Sequence, residues 1–167
     1  MIEKPPSVDL ATPDDASSIY GLLVQMHLGS NFARLFPYDA QMVYDIIAIG
    51  IEGRGGIIGV IKDSDKRLVA TVGLSVERWW WTKDTAFLRM LWLFVHPRER
   101  KNPQHAKDLF QFAEYCRQFM AAELCKKGET RPFLLELGFQ RLDRIAARER
   151  MWRRYGRKIG ASFLSGL

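Results

Sequence analysis

One stretch of the chain combines residue types whose spacing suits the binding of a phosphate group. The apolar segment Leu91–Val95 stops at His96-Pro97, and a basic polar loop leads into a new apolar pattern that opens near Pro103. A helix start presents unpaired backbone N–H groups and the positive end of a dipole, and successive N–H groups of a turn can surround an anion. Four basic side chains add positive charge: Arg98, Arg100, Lys101 and Lys107. The segment predicts a phosphate or pyrophosphate site, with a solvated basic loop as the alternative.

Metal chemistry and the common nucleotide motifs are not indicated. The three histidines, His27, His96 and His105, are scattered, with no cysteine or carboxylate at metal-ligand spacing. Neither G-x-x-x-x-G-K-S/T nor G-x-G-x-x-G occurs. We therefore expect no bound metal.

The elements that must position the basic loop follow from hydrophobic spacing. Capping residues and apolar periodicity predict the helices Thr12–Gly29, Asp39–Ile49, Pro103–Gly128 and Leu142–Tyr155, with Gly50–Gly56 breaking the second. Apolar runs predict the strands Ser7–Leu10, Gly56–Ile61, Arg67–Val76, Phe87–Val95, Phe133–Leu137 and Ile159–Leu164. The order β-α-α-β-β-β-α-β-α-β indicates a layered α/β (α+β) fold. Phe87–Val95 is expected to be central, buried on both faces, and parallel to Phe133–Leu137.

Length and composition limit the classes of protein to consider. The 167 residues fit a single domain, 1–167, and 47% hydrophobic residues supply a core. No apolar run has the length of a membrane span, and the N-terminus lacks the pattern of a secretory signal. Cys116 and Cys125 lie about nine residues apart on one predicted helix, where they cannot pair, and Cys116 falls on its apolar face. We expect a cytoplasmic protein in a reducing compartment, with no membrane partner. The net charge of +6 permits an anionic partner.

The pattern Val95-x-Pro97-x-x-Arg100, with the predicted layout, resembles the GCN5-related N-acetyltransferases (GNAT). The resemblance implies a mixed, mainly antiparallel sheet whose central parallel pair splays to admit the pantetheine arm of acetyl-CoA. It implies transfer of an acetyl group from acetyl-CoA to a primary amine by direct attack. The residues it assigns to the cofactor are Phe94, Val95, Arg100, Lys101, Asn102, Gln104, His105, Ala106 and Lys107.

The loop more narrowly resembles a phage and prophage-type variant of the family, which implies the host cytoplasm for a phage-encoded protein. Pro103 and His105 occupy the places of the family's loop glycines. This loss predicts weaker cofactor binding, compensation by side chains such as Asn102 and Gln104, or a non-catalytic member.

The resemblance identifies the catalytic groups less clearly than the cofactor-binding residues. Trp152 stands where the family often has a general-acid tyrosine, so Tyr155 is the nearest candidate acid. His96, directly after the central strand, is a candidate base because its ordinary pKa suits proton transfer, and Glu77 and Glu136 are carboxylate alternatives. Trp80, Trp81 and Glu136 are candidate walls of the substrate pocket.

Two other classes of function stay open. A non-catalytic GNAT-fold module would bind nucleic acid or a partner protein through a basic helix over residues 141–158. A structural homodimer would associate through the tryptophans Trp79–Trp81. For an enzyme, protein, peptide, polyamine, antibiotic and nucleotide amines all remain candidate acceptors.

Overall fold

The computed structural model describes residues 2–30, 33, 36–78, 86–128, 133–137, 157–159 and 162–165. Its helices are α1 (Ala16–Leu28), α2 (Ala40–Ile51) and α3 (Gln104–Lys126). Its strands are β1 (Asp9–Leu10), β2 (Gly56–Lys62), β3 (Leu68–Arg78), β4 (Ala86–Val95), β5 (Leu134–Leu137), β6 (Arg157–Ile159) and β7 (Ser162–Ser165).

The described strands form one sheet in the order β1-β2-β3-β4-β5-β7-β6. Neighbouring strands are antiparallel except for β4 and β5, which run parallel. A parallel pair needs a crossover connection, and α3 provides it. The predicted mixed, mainly antiparallel sheet with a central parallel pair is confirmed.

Helices cover the two faces of this sheet separately. On one face, α3 buries the side chains Leu109, Phe110, Phe112, Ala113 and Cys116. On the other, α1 and α2 bury Ile19, Leu23 and Ile47. Both sets recur at helical spacing, which is why each helix has one apolar side. The expected core position of Cys116 is confirmed, and burial raises the pKa of its thiol to about 12.

Strand β4 contains a β-bulge that the sequence pattern did not predict. Its register against β3 pairs Trp92 with Gly73 and Met90 with Leu74, so Leu91 is the extra residue. The bulge shifts the alternation of side chains by one position. Leu88, Met90, Leu93 and Val95 lie in the cluster under α3, whereas Leu91 and Trp92 both lie in the cluster under α1 and α2. The expected burial of β4 on both faces is confirmed.

Helix α2 differs from the prediction at its C-terminal end. Asp39 caps its start as expected, accepting a hydrogen bond from the Met42 N–H at 3.0 Å. Gly50 does not break the helix, which continues to Ile51. A Cβ at Gly50 would lie 2.6 Å from Ile58 Cγ1, so this glycine allows α2 to approach β2 closely. None of the helices described has the length and apolar character to cross a bilayer.

The C-terminal region corrects two further expectations. One last strand was predicted over Ile159–Leu164, but β6 and β7 are separate antiparallel strands. Arg157 and Lys158 lie in β6, so a basic helix over 141–158 does not extend to its predicted end. A strand pairing with β7 competes with helix there, because local charge density does not fix secondary structure. The helix predicted over Leu142–Tyr155 lies outside the described residues.

Candidate functional site

The end of β4 is built into a short capped turn. The His96 backbone N–H donates to the Val69 carbonyl oxygen at 2.8 Å, which continues the sheet by one residue. Pro97–Glu99 then form a 3-10 turn, and His96 Nδ1 accepts from the Arg98 N–H at 3.3 Å. His96 is therefore the cap of the turn that opens the basic loop.

Arg100 is tied to the strand end. Its Nε donates to the Val95 carbonyl oxygen at 3.1 Å, and its guanidinium carbon lies 5.2 Å from the centre of the Phe94 ring. This cation–π contact and hydrogen bond hold the loop against β4. The structure thus brings Phe94, Val95 and Arg100 together and gives Arg100 contacts with the strand itself.

The start of α3 keeps backbone donors available. Asn102 Oδ1 accepts from the Gln104 N–H at 3.0 Å, and the Lys107 N–H donates to the Pro103 carbonyl oxygen at 3.3 Å. Within the described residues, the N–H groups of His105 and Ala106 have no hydrogen-bond partner. These two donors lie at the positive end of the 23-residue helix α3, where an anion is favoured.

The missing loop glycines do not distort this turn. Positive φ occurs in the described chain at Gly53, Gly55, Lys66 and Gly128, and at no residue of the loop. Pro103 has ordinary right-handed helical angles, φ −71° and ψ −11°, and precedes the first helical residue. The proline at this place therefore costs no intrahelical hydrogen bond. The loop residues adopt their conformation without needing glycine.

Beside the bulge, β5 pairs with only part of β4. The register runs from Phe87 opposite Leu134 to Met90 opposite Leu137. Among the described residues, Leu91–Val95 have a strand neighbour only on the β3 side. The β4 backbone from the bulge at Leu91 to the strand end at Val95 thus faces the space beyond the end of β5.

A charged cluster lies on β3, β4 and β5 near this junction. Arg89 on β4 pairs with Glu77 of β3 at 2.5 Å and with Glu136 of β5 at 2.8 Å. Ser75 Oγ donates to Glu77 at 2.9 Å. Glu136 is the more enclosed carboxylate, with 15% of its side chain exposed. Two carboxylates against one guanidinium leave this cluster with a net charge of −1, which favours a cationic partner.

Arg89 was missed by the sequence reasoning. The sequence does contain a signal for it, because Arg89 is the one charged residue in the strand sequence AFLRMLWLFV. A lone charge in an apolar strand needs a partner when it is half-buried. The register supplies both partners. Glu136 lies directly opposite Arg89 on β5, and Glu77 lies two residues along β3 from Ser75, the residue opposite Arg89.

The remaining site residues predicted from the sequence do not belong to this charged cluster. His96 stands about five residues beyond the bulge, a distance of roughly 15 Å along an extended strand. His105 Nε2 lies 3.7 Å from Glu99 Oε2, beside the loop. Lys101 and Lys107 are exposed next to the α3 start. Tyr155, Trp80 and Trp81 lie outside the described residues.

Comparison with known proteins places this arrangement among solved folds. No family model and no curated protein sequence matches the chain. A GNAT-family acetyltransferase from Staphylococcus aureus Mu50 matches with a TM-score of 0.60 at 14% identity, covering 94% of this chain and 95% of that one. The aminoglycoside 6'-N-acetyltransferase AAC(6')-Ih from Acinetobacter baumannii matches with a TM-score of 0.52 at 16% identity, over 68% and 72% of the two chains.

A third structure contains a ligand. AAC(6')-Iy in complex with the bisubstrate analogue CoA-S-monomethyl-acetylneamine matches with a TM-score of 0.57 at 8% identity, covering 87% of this chain and 86% of that one. Identities this low establish the fold alone. With its parallel β4–β5 pair and the α3 crossover, the chain has the fold of the GCN5-related N-acetyltransferases.

Proposed function

We propose that the protein transfers an acetyl group from acetyl-CoA to a primary amine by direct attack. One observation carries the proposal. The backbone of β4 after the bulge leads, beside the end of β5, to a helix start where two N–H donors have no partner among the described residues. This arrangement combines a strand edge that can bind an amide-rich arm with a site for a pyrophosphate. The resemblance stated for the sequence and the fold of the solved acetyltransferases support the same function.

The residues present suit the cofactor. The N–H groups of His105 and Ala106 would meet the pyrophosphate, with Lys101, Gln104 and Lys107 around it. Asn102 orients the start of α3 through the Gln104 N–H. Arg100 acts by holding Phe94 and Val95 in place. Acetyl-CoA, when bound, supplies an acetyl group activated as a thioester.

The strand backbone would assist the reaction electrostatically. N–H groups of β4 on the side away from β3, in the segment from the bulge to Phe94 and Val95, would donate to the oxygen on which negative charge develops. Such donors are fixed by the sheet before the substrate arrives, so little reorganisation is needed during the reaction. The bulge marks where this segment begins, directly after the last β4 residue that pairs with β5.

The charged cluster would receive the amine. A protonated amine is attracted to the net negative charge of Glu77, Arg89 and Glu136. It must lose a proton before it attacks, and Glu136 or a water beside it would accept that proton. His96 lies away from the bulge as the cap of the turn, a place that favours a structural role. Tyr155 stays the proposed general acid.

Binding of acetyl-CoA tests the first half of the proposal. We expect acetyl-CoA and CoA, but not ATP, to raise the melting temperature with dose, because a ligand bound only to the folded state stabilises it by mass action. Lys107→Glu reverses a charge at the α3 start and should reduce the shift. Lys127→Glu makes the same change at the other end of α3 and should leave it unaltered. No shift at millimolar acetyl-CoA would overturn the proposal.

Turnover tests the second half. A panel of amines is screened by release of free CoA thiol, and Glu136→Gln is compared with the exposed Glu123→Gln. We expect Glu136→Gln to lower kcat/KM by about 10²-fold or more, in the range of a lost acid–base group, and the control to change little. Cofactor binding without turnover on any amine would point instead to a non-catalytic module.

A further inference from the structure

The charged cluster of Glu77, Arg89 and Glu136 lies on the sheet face that carries α1 and α2. Successive side chains of a strand point to opposite faces. The neighbours of the cluster along the three strands pack on the α3 side: Val76, Leu88, Met90 and Leu135. Leu91, where the unpaired part of β4 begins, packs on the α1 and α2 side with the cluster. A ligand at the cluster would therefore stand on the face opposite the start of α3.

Contacts within the cluster occupy three of its four carboxylate oxygens. Ser75 Oγ donates to Glu77 Oε1 at 2.9 Å, and Arg89 Nη1 lies 2.5 Å from Glu77 Oε2. Arg89 Nε donates to Glu136 Oε2 at 2.8 Å. Within the described residues, Glu136 Oε1 accepts no hydrogen bond and Arg89 Nη2 donates none. One acceptor and one donor of the cluster are thus left for a ligand.

These two atoms lie side by side. Nη2 is on the same edge of the guanidinium as Nε–H, and Oε1 shares its carboxyl carbon with Oε2, so both flank the 2.8 Å hydrogen bond. In a two-pronged arginine–carboxylate pair they would bond to each other, which they do not do here. Both reach solvent, because the one buried side-chain nitrogen or oxygen without a partner in the described part of the chain is the Tyr38 hydroxyl. A single small molecule can therefore donate to Oε1 and accept from Nη2.

Contacts on three sides fix the guanidinium of Arg89. Glu77 holds it from β3, Glu136 holds it from β5, and its Cζ lies 5.2 Å from the centre of the Phe87 ring. The Glu136 side chain is 15% exposed, so little of it is free to move in water. Groups that are fixed before a ligand arrives lose little conformational entropy when it binds. The two unoccupied atoms are therefore presented in a defined geometry.

We propose that the cluster selects an amine with an uncharged oxygen on the adjacent carbon, as in a 2-amino alcohol or an α-amino amide. The amine N–H donates to Glu136 Oε1, and the hydroxyl or carbonyl oxygen accepts from Arg89 Nη2. The oxygen is uncharged because the cluster already has a net charge of −1, and a third carboxylate beside Glu77 and Glu136 would be repelled. The role of this amine as acetyl acceptor rests on the proposed function. Arg89 becomes a specificity-determining residue.

The test measures binding without turnover. The full chain, with no acetyl-CoA present, is titrated with 2-aminoethanol, glycinamide, glycine and n-propylamine, and ¹H–¹⁵N NMR follows Arg89 Nε–H and the Glu136 amide. We expect 2-aminoethanol or glycinamide to bind about 10-fold more tightly than n-propylamine, which has a methyl group in place of the hydroxyl of 2-aminoethanol. The tighter of the two identifies the oxygen as hydroxyl or carbonyl. Equal binding of n-propylamine, tighter binding of glycine, or no saturable shift with any probe would overturn the proposal.

A variant assigns the selectivity to Arg89. Arg89→Lys keeps a cation between the two glutamates but lacks the Nη2 donor, so the preference for the oxygen-bearing amine should disappear while n-propylamine binds as before. The exposed Arg54→Lys is the control and should keep the preference. A preference that Arg89→Lys retains in full would overturn the role of Arg89. In acetyl-transfer assays kcat/KM should follow the same order, and selective binding without any transfer would count against the proposed function alone.

Discussion

At the scale of single residues, Trp92 packs closely against Gly73 beside the bulge. A Cβ placed on Gly73 would lie 2.3 Å from Trp92 Cζ2, so the indole occupies the space where a side chain would stand. Trp92 is 6% exposed, and its Nε1 lies 3.4 Å from Thr71 Oγ1. The glycine lets a large ring lie flat on β3, in the segment where β4 is bulged.

We expect Gly73→Ala to lower the free energy of unfolding by about 1–3 kcal/mol, because overpacking displaces a buried ring. Chemical denaturation measures the change. Gly21→Ala is the matched control: a Cβ there meets nothing within 4 Å, and alanine is the better helix former by about 1 kcal/mol. Equal effects of the two substitutions would contradict the role assigned to Gly73.

Residue identities could be predicted from the sequence more readily than side-chain directions. Arg100 stands at the predicted place, yet its guanidinium turns back to Val95 and Phe94. Whether a long cation meets a phosphate or an aromatic ring depends on three-dimensional neighbours, which the spacing of residues does not encode. Arg89 went unnoticed for the same reason, since its partners Glu77 and Glu136 come from two other strands.

At the scale of elements, the start of α1 depends on one buried carboxylate. Asp15 Oδ2 accepts from the Thr12 N–H at 3.0 Å and from the Thr12 hydroxyl at 2.9 Å, and Lys62 pairs with Oδ1. Burial acts to raise the pKa of Asp15, but the hydrogen bonds from Lys62 and Thr12 outweigh it and lower the pKa below its ordinary value. The capping box thus joins α1 to β2 through an ionised group.

Because Asp15 is ionised in the folded protein, the free energy of unfolding should depend on pH. The pKa of Asp15 is lower in the folded protein than in the unfolded chain. The stabilisation is therefore fully present above the unfolded-state pKa, near 4, and is lost as the pH falls through the folded-state pKa. Asp15→Asn should therefore cost about 1–2 kcal/mol at pH 7, and the difference from the wild type should shrink below about pH 4. Urea unfolding across pH 3–7 measures it. The exposed Asp14→Asn should show no such trend, and a difference for Asp15→Asn that is constant with pH would refute the explanation.

The sequence predicted which segments form helices and strands, but not the irregularities within them. Helix starts carry their own local signals, as at Thr12 and Asp39, because caps are made by side chains near in sequence. The bulge at Leu91 has no such signal, since it is defined by the register between two strands. Gly50 was wrongly predicted to end α2 for a related reason. It allows a close contact with Ile58 of β2, which the local sequence does not indicate.

At the scale of the whole molecule, the parallel pair depends on how α3 is attached to the entry of β5. Arg117 of α3 donates from Nε to Glu114 Oε1 at 2.9 Å and from Nη1 to the Phe133 carbonyl oxygen at 3.0 Å. Its side chain is 14% exposed and that of Glu114 is 11% exposed, so the pair is shielded from water. Phe133 directly precedes β5, so one guanidinium links the crossover helix to the strand that borders the proposed active site.

We expect Arg117→Met to lower the free energy of unfolding by about 3–5 kcal/mol, because it removes one partner of a buried ion pair and the hydrogen bond to the Phe133 carbonyl oxygen. Amide hydrogen exchange should accelerate at Leu135 and Glu136. Lys126→Met removes another cation of α3 that pairs with a glutamate three residues away, but both side chains are exposed, so at most about 1 kcal/mol should be lost. The double variant Glu114→Leu/Arg117→Met should recover most of the stability while exchange in β5 stays fast, because the link to Phe133 remains broken. Slow exchange in β5 of Arg117→Met would show that α3 does not hold the parallel pair in this way.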